Sequence, residues 1–131
     1  MFTKEIVIRS QRRNQFIDVT SEVLEAIKEA GVKEGICLLY VPHTTAGVTI
    51  NENADPSVQQ DILNKLEELV PKEGRYLHLE GNADAHIKAS LIGSFVTIPL
   101  SHGRPLLGTW QGIFFCEFDG PRQRRMIVRI M

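Results

Sequence analysis

The last third of the chain constrains the fold most, because it contains three β-type segments separated by tight-turn sequences. These segments are FVTIPL, PLLGTWQGIFFCEF and RMIVRIM, and the sequences SHGR and DGPRQ lie between them. The Gly, Pro and Asp residues of the two short sequences favour chain reversal. Consecutive strands joined by short turns usually pair antiparallel. The pattern predicts an antiparallel meander and favours it over a parallel Rossmann fold.

Strand and helix patterns alternate earlier in the chain. Lys4–Ser10 and Phe16–Val19 have strand patterns, and the polar sequence RRNQ between them predicts a hairpin. A helix capped by Thr20 or Ser21 is predicted next, and Gly31 suits its left-handed end. The apolar sequences ICLLYV and GVTI follow and are typical of buried strands.

Two further helices are predicted before the β-rich third. Asp55 is a favourable N-cap residue, Pro56 suits the first helical position, and apolar residues then recur at helical spacing until the next proline. A shorter helix begins with Asn82 or Asp84 as its N-cap and ends at Gly93. Helices in the first two thirds and hairpins at both ends indicate an α+β fold.

Length and composition indicate one domain. A chain of 131 residues, of which 43% are hydrophobic, is large enough for one core without disulfides or a structural metal. We therefore expect a single α+β domain over residues 1–131, two-layered, with helices on one face of a mixed or largely antiparallel sheet. Cys37 and Cys116 lie in apolar sequences without metal-site spacing, so both are predicted to be reduced and buried.

The net charge of the chain is close to zero, and this limits the kinds of partner that it can bind. There are 15 Lys and Arg residues against 16 Asp and Glu, which removes the broad positive field that nucleic-acid binders use. The N-terminal sequence MFTKEIVIRS lacks a signal-peptide core, and no apolar segment approaches the ~20 residues of a bilayer span. We expect a cytoplasmic protein that acts on a small molecule and binds neither nucleic acid nor membrane.

The first candidate site surrounds His43. This histidine follows a predicted buried strand, and Thr44 and Thr45 come directly after it, with Glu52 beyond the next strand. Functional residues often lie where strands end. Taken alone, a histidine beside threonines is more often a structural or surface residue. The hydroxyls together with the backbone amides near Gly47 have the chemistry to hold an anion.

The second candidate site is the sequence EGNADAHIKAS at the start of the third helix. Asn82, Asp84, His86 and Lys88 lie there beside unpaired helical N–H groups, where the helix dipole favours a phosphate or carboxylate. For each residue alone, simple capping or a solvated position is the alternative. The arginines of GPRQRR are predicted to be solvated, although Arg124 is a candidate to reach the anion site.

A metal site is a further hypothesis. His78, His86 and His102 are separated by predicted elements that a fold can bring together with Asp84. Three histidines around an open coordination position are typical of catalytic Zn²⁺, whereas an aspartate with a phosphate suits Mg²⁺. The spacing of these histidines matches no known metal signature.

Three long motifs, HTTAGVTINENADPSV, LHLEGNADAHIKASLIGSF and IPLSHGRPLLGTWQGIFFCEFDGPR, resemble the YjbQ-like family of secondary thiamine-phosphate synthase enzymes over nearly the whole chain. The resemblance implies a small α/β fold, a homotrimer, and a polar cleft of His, Glu, Asn and Asp residues. It also implies a reaction that joins a hydroxymethylpyrimidine diphosphate to a thiazole phosphate and releases pyrophosphate. A divalent metal, Mg²⁺ or Zn²⁺, would stabilise the charge on the leaving group.

Transferred to this chain, the resemblance and the patterns above assign three sets of residues. The catalytic set is His43, Glu52, Asp84 and His86; the substrate-binding set is Thr44, Thr45, Asn82, Lys88 and Arg124; the metal set is His78, His86 and His102. Two other functions stay open at this point. One is a Zn²⁺-dependent hydrolase acting on a small phosphorylated substrate, and the other is a non-enzymatic trimer that binds an anion or metabolite.

Overall fold

A computed structural model describes all 131 residues and contains eight strands and three helices. The strands are β1 (Phe2–Arg9), β2 (Gln15–Asp18), β3 (Gly35–Tyr40), β4 (Ala46–Glu52), β5 (Phe95–Ser101), β6 (Arg104–Pro105), β7 (Gln111–Glu117) and β8 (Gln123–Ile130). The helices are α1 (Thr20–Ala30), α2 (Pro56–Leu69) and α3 (Ala83–Ile92). The three predicted helices and the α+β class are confirmed.

The strands form two sheets in which every pairing is antiparallel. The large sheet has the order β1-β8-β3-β5-β6, and the small sheet has the order β2-β7-β4. The two ends of the chain are neighbours in the large sheet, because β1 pairs with β8 along its whole length, from Phe2 opposite Ile130 to Arg9 opposite Gln123. This pairing brings the residues of β8, including Arg124, into the middle of the molecule.

Two predicted strand pairings are wrong. β1 and β2 do not form a hairpin, because β1 belongs to the large sheet and β2 pairs with β7 in the small sheet. The C-terminal third is not a meander either: only β5 and β6 form a hairpin, while β7 and β8 lie in different sheets. Strand pairing depends on which faces of the strands become buried against segments that are distant in sequence. A local sequence pattern does not contain that information.

Two hydrophobic cores lie on opposite faces of the small sheet. The first core lies between the sheets and includes Val23 and Ile27 of α1 together with residues of both sheets. The second core packs Phe114 and Cys116 of β7 against Leu66 of α2 and the small residues of α3. Both faces of β7 are therefore buried, which explains its continuous apolar sequence.

Both cysteines are buried and unpaired, as predicted. Burial raises the pKa of the Cys37 thiol to about 11 and also raises the pKa of the Cys116 thiol. Neither sulfur is therefore a thiolate at neutral pH, and neither is a candidate nucleophile.

The helix ends confirm some of the capping predictions. Asp55 caps α2 by accepting a hydrogen bond from the Ser57 N–H at 2.9 Å, and Gly31 ends α1 with a left-handed φ of 70°. The N-cap position of α1 is Val19, so the prediction of a Thr20 or Ser21 cap is wrong. Thr20 instead uses its hydroxyl to bind the side chain of Asp18. None of the three helices has both the length and the apolar composition needed to cross a bilayer.

The end of α3 is held tightly against β4, and this contact positions the candidate site. The carbonyl of Gly93 accepts a hydrogen bond from the Val48 N–H at 3.1 Å. A Cβ atom on Gly47 would lie only 2.6 Å from that carbonyl oxygen, so the close approach requires glycine there. The first turn of α3 is thereby placed beside the residues that follow β3.

Candidate functional site

A polar cleft of about 460 Å³ lies where the loop after β3, the start of α3 and the turn between β7 and β8 meet. None of its lining residues is hydrophobic; they are Pro42, His43, Thr44, Thr45, Glu80, Asn82, His86, Asp119, Arg122 and Arg124. A second cavity of about 590 Å³ shares His43, Thr44 and His86 with it and extends to Phe95. We call the two together the histidine cleft. It unites both segments that the sequence singled out.

His43 is held in one orientation by the backbone. Its Nε2 atom accepts a hydrogen bond from the Arg125 N–H at 3.1 Å, so a neutral ring carries its proton on Nδ1. Partial burial of the ring, and then the positive charges of Arg124 and Arg125, lower the pKa of His43 from 6.5. At neutral pH the ring is therefore uncharged, with an N–H donor on Nδ1 that no group of the chain accepts.

This environment predicts a low titration midpoint for His43. We expect the imidazole resonances of His43 to titrate below pH 6.5 in the folded protein and to return towards the ordinary histidine value in urea, since unfolding removes both burial and the fixed arginines. Two-dimensional NMR of the ring carbons and nitrogens measures both midpoints. A midpoint at or above 6.5 in the folded protein would contradict the assignment.

His86 and His78 lie next to each other. Their rings are 5.2 Å apart between centroids and meet edge to face. His86 lines the histidine cleft, while both residues line an adjoining cavity of about 430 Å³ beside Tyr76 and Leu77. Three of the four histidines in the chain, His43, His78 and His86, thus lie in one region, whereas the sequence grouped His78 and His86 with His102.

His102 is not part of this region, so the predicted metal set of His78, His86 and His102 is wrong for one chain. Ser94 lines the histidine cleft, whereas His102 follows the other end of the seven-residue strand β5. At about 3.3 Å per residue, that strand separates the two ends by roughly 20 Å. The His102 N–H instead donates to Glu34 at 3.1 Å. No three metal-ligating side chains converge elsewhere in the chain.

Glu52 does not lie beside His43, where the sequence predicted it. Ala46 at the start of β4 lines the histidine cleft, but Glu52 is the last residue of that seven-residue strand and lies opposite Gln111. The glutamate therefore lies at the far end of β4 and lines none of the cavities around the histidines. An extended strand carries two residues six positions apart to opposite ends of the sheet, although they are close in sequence.

Asp84 and Lys88 do not line the cleft as the sequence predicted, because both are buried below it and paired within the chain. Both Oδ atoms of Asp84 accept hydrogen bonds from Arg13 at 2.9 Å, and Lys88 approaches one of them at 3.1 Å. Lys88 also contacts Glu67. Desolvation would raise the pKa of Asp84, but the hydrogen bonds from Arg13 and Lys88 outweigh it and hold that pKa at about 2.

Arg124 lies under the cleft in a second buried ion pair. Its Nε and Nη2 atoms donate to the carboxylate of Glu117, and Nη2 also donates to the Thr45 hydroxyl at 2.7 Å. Thr45 is thus buried and structural, while Thr44 is exposed in the cleft. The Nη1 atom of Arg124 makes no hydrogen bond within the chain, and Arg124 lines the cleft, so one charged donor remains available there.

Asn82 occupies the N-cap position of α3 but does not cap it. Its Nδ2 atom donates to Asp119 at 2.9 Å, and Arg122 donates to the same carboxylate at 3.2 Å. The Oδ1 atom of Asn82 is buried without a partner. Because the side chain is turned towards Asp119, the first N–H groups of α3 are left without a side-chain cap.

Sequence reasoning missed five charged residues that shape the site: Arg13, Glu67, Glu117, Asp119 and Arg122. One signal was available. Glu117 interrupts the apolar sequence GIFFCEF, and a charge within a buried strand requires a partner. The partners themselves are far away in sequence, so the local pattern did not identify them.

Comparisons with known proteins agree on one family. The family model described as UPF0047 protein YjbQ-like matches residues 4–131. A UPF0047 protein of Methanocaldococcus jannaschii is 58% identical over 95% of this chain and 90% of its own length. The UPF0047 protein YugU of Bacillus subtilis is 47% identical over 98% of both chains.

Solved structures give the same result. A crystal structure of an uncharacterized conserved protein of the YjbQ/UPF0047 family from Clostridium acetobutylicum superposes with a TM-score of 0.96 at 52% identity, covering 98% of this chain and 99% of that one. A hypothetical protein from Aeropyrum pernix superposes with a TM-score of 0.96 at 40% identity, covering 100% of this chain and 98% of that one.

Proposed function

The chain belongs to the UPF0047 family of YjbQ-like proteins, and from this premise we propose that the histidine cleft binds a small phosphorylated substrate and catalyses a transfer of the thiamine-phosphate synthase type. The observation that carries the proposal is the composition of the cleft. Two guanidinium groups, two imidazoles and a free threonine hydroxyl line its polar part of about 460 Å³, together with the carboxylates of Glu80 and Asp119, and no hydrophobic residue lies among them. Such a set of donors suits phosphate oxygens better than an apolar ligand.

The donors differ in what they contribute. Arg122 is half-exposed and its side chain hydrogen-bonds only to Asp119, so it can turn towards a ligand by giving up those two bonds, whereas Arg124 is locked by Glu117 and offers only Nη1. A locked arginine is preorganised, so it binds an anion with little loss of side-chain entropy. His43 adds a neutral Nδ1–H donor, and the uncapped N–H groups of α3 add backbone donors.

The proposed reaction is a substitution at the methylene carbon of hydroxymethylpyrimidine diphosphate. The thiazole nitrogen forms the new C–N bond while the C–O bond to the diphosphate breaks, and the bonding electrons leave with pyrophosphate. No net proton transfer is required. Negative charge grows on the leaving oxygen, so the main task of the cleft is to stabilise it, with His43, His86 and the two arginines as the donors.

The residues of the cleft do not fit a resident zinc ion, but they fit a Mg²⁺ ion that enters with the diphosphate. The three-histidine set does not form within one chain, so these residues do not fit a resident zinc ion, and we place no step on one. A Mg²⁺ ion that accompanies a diphosphate needs only one or two protein carboxylates, and Glu80 and Asp119 line the cleft. When bound, such an ion would neutralise charge on the diphosphate.

The synthase proposal predicts a specific pattern of activity. With both substrates and Mg²⁺, we expect thiamine phosphate to accumulate, measured as fluorescent thiochrome after chromatography. His86→Ala should lower the rate about 10²-fold or more, because it removes a donor to the leaving group. His102→Ala is the matched control and should retain the rate, since His102 lies at the other end of β5.

Each outcome decides between the function classes. Absence of thiamine phosphate from the wild type, or equal rates for His86→Ala and the wild type, would overturn the synthase proposal. Phosphate release from a phosphorylated substrate would favour a hydrolase. Calorimetric binding of pyrophosphate without turnover would favour a metabolite-binding protein.

The proposal extends to assembly as a homotrimer. The face of the large sheet that points away from α1 has no helix or loop packed on it, and it carries exposed or partly exposed apolar residues on four neighbouring strands. The exposed ones are Val7 on β1, Ile36 and Tyr40 on β3, and Phe95 on β5, and Ile127 on β8 lies partly exposed among them. A sheet face of this composition is usually covered in a soluble assembly, which supports self-association.

A further inference from the structure

A cavity separate from the histidine cleft lies between residues 24–33, at the end of α1, and residues 102–107, at the turn after β5. Its volume of about 690 Å³ is within the range of about 300–1,000 Å³ that small-molecule sites occupy. It shares no lining residue with the histidine cleft, which begins at the opposite end of β5. We call it the turn cavity, and the proposed reaction makes no use of it.

The turn cavity is lined by positive charge without a counter-charge. Lys28, Lys33, His102 and Arg104 line it, and no carboxylate does. The two lysines and the arginine form no ion pair within the chain. Lys28 lies in the last turn of α1, where the helix dipole favours a cation, but Lys33 and Arg104 lie outside the helix. Two cations are therefore left for a ligand.

These two cations lie together at the turn. The Gly103 N–H donates to the Lys33 carbonyl at 2.9 Å, which joins the end of α1 to the turn. The Lys33 side chain runs over the turn, because a Cβ atom on Gly103 would lie 3.4 Å from its Nζ atom. Arg104 is the next residue along the chain. The turn thus presents two charged donors, a set that suits phosphate oxygens.

The histidine of the turn adds a third donor group. His102 has a φ of 54° and Gly103 a φ of 76°, as in a type I′ turn, for which Asn-Gly is the favoured pair. The backbone therefore does not favour histidine at this position. Its Nδ1 atom lies 3.1 Å from the Ser101 hydroxyl, so its Nε2 atom is free. The Glu34 carboxylate accepts from the His102 N–H and does not line the cavity.

The remaining wall of the turn cavity is aliphatic. Its apolar residues are Leu24, Ile27, Val32, Pro105 and Leu107, with no Phe, Tyr or Trp among them. Leu24 is 43% exposed, so apolar surface on α1 is left for a ligand to cover. A wall without an aromatic ring offers no stacking partner, and it therefore suits an aliphatic chain better than a flat ring.

We propose that the turn cavity is a second binding site, which takes a small soluble phosphate ester with an aliphatic body. Lys33 and Arg104 bind the phosphate, and Leu24 and Leu107 contact the aliphatic body. A volume of about 690 Å³ holds the whole of such a molecule, which favours a soluble ester over the headgroup of a membrane lipid. The inference does not depend on the proposed function of the histidine cleft.

Amide NMR with n-octyl phosphate locates the binding. The signals of Gly31 and Gly103 report the turn cavity, and that of Gly93 reports the histidine cleft. We expect Gly31 and Gly103 to shift with one dissociation constant, at least tenfold lower than the constant for inorganic phosphate, because the octyl chain adds apolar burial. A shift at Gly93 alone, no shift, or equal constants for the two probes would overturn the proposal.

Removing the two cations tests the phosphate contact. Lys33→Gln combined with Arg104→Gln should raise the dissociation constant of octyl phosphate at least tenfold. The matched control combines Lys65→Gln with Lys72→Gln, which removes the same charge at exposed positions outside the cavity. Circular dichroism confirms folding. Equal losses of affinity in the two double variants would mean general charge attraction, and the site would be wrong.

Leu24→Gln tests the aliphatic wall. It should raise the dissociation constant of octyl phosphate at least fivefold and leave that of inorganic phosphate unchanged. Leu69→Gln is the matched control, because Leu69 is 63% exposed on α2. Unchanged octyl phosphate binding in Leu24→Gln contradicts the proposed aliphatic contact. Sedimentation of the protein with phosphatidic acid vesicles, without any shift by octyl phosphate, would replace the soluble ester with a membrane surface.

Discussion

Replacing Arg124 with methionine is expected to lower the free energy of unfolding by about 3–5 kcal/mol, the usual cost of removing one partner from a buried ion pair. Glu117 is completely buried, and it accepts hydrogen bonds from Arg124, from Ser10 and from two backbone N–H groups. Methionine preserves much of the side-chain volume but leaves the carboxylate without its counter-charge. The Thr45 hydroxyl loses its donor at the same time.

The neighbouring arginine provides the control for this experiment. Arg125 forms an exposed pair with Glu5 at 2.9 Å, so Arg125→Met should cost no more than about 1 kcal/mol. Urea unfolding followed by fluorescence and circular dichroism measures both values. If the two variants lose the same stability, the buried Glu117–Arg124 pair stabilises the fold no more than the exposed Glu5–Arg125 pair does, and the prediction is wrong.

Replacing Asp84 with asparagine is expected to cost about 3 kcal/mol at neutral pH, because Arg13 and Lys88 lose the carboxylate that pairs with both of them. The pKa of Asp84 is lowered from 3.8 to about 2, so its charge stabilises the folded state fully above the unfolded pKa. That stabilisation is lost as the pH falls through about 4 to 2. The difference between wild type and variant should therefore shrink over this range.

Asp55→Asn is the matched control for Asp84→Asn. Asp55 is exposed and caps α2, and asparagine is an equally good N-cap residue, so the change should be nearly neutral at pH 7. Urea unfolding at several pH values between 2 and 7 measures all three proteins. A difference between wild type and Asp84→Asn that stays constant down to pH 2 would contradict the ion-pair explanation.

These two predictions change how loss of activity should be interpreted. Asp84 is two residues from His86, and Arg124 is next to Arg125, whose N–H orients His43. A variant at either buried position will disturb the cleft through the fold, in addition to any direct contact that Arg124 makes with the substrate. Activity measurements at these positions therefore require the stability measurements beside them.

The two polar segments that the sequence singled out meet in the structure. His43 with Thr44 and Asn82 with His86 come from two segments chosen by their polar composition, and both line the same cleft. The prediction succeeded because short polar sequences after strands and at helix starts are exposed for local reasons. Roles within the segments were less predictable, because Asp84 and Lys88 lie one helical turn apart on the buried face of α3.

Three errors share one physical origin. The β1–β2 hairpin, the convergence of His102 with the other histidines and the exposure of Asp84 each depend on a contact between residues distant in sequence. Arg13 is 71 residues away from Asp84, and no local pattern pairs them. Only the assembled fold supplies the partner.

By itself the sequence determined the helices, the α+β class, the buried cysteines and the two segments that form the cleft, because caps, periodicity and turn residues act within a few positions of each other. The tertiary structure decided the strand partners, the burial of Asp84, Lys88 and Arg124 and the isolation of His102. Those features depend on the free energy of packing and on the electrostatic surroundings of each charge, and both are set by segments that meet only when the chain has folded.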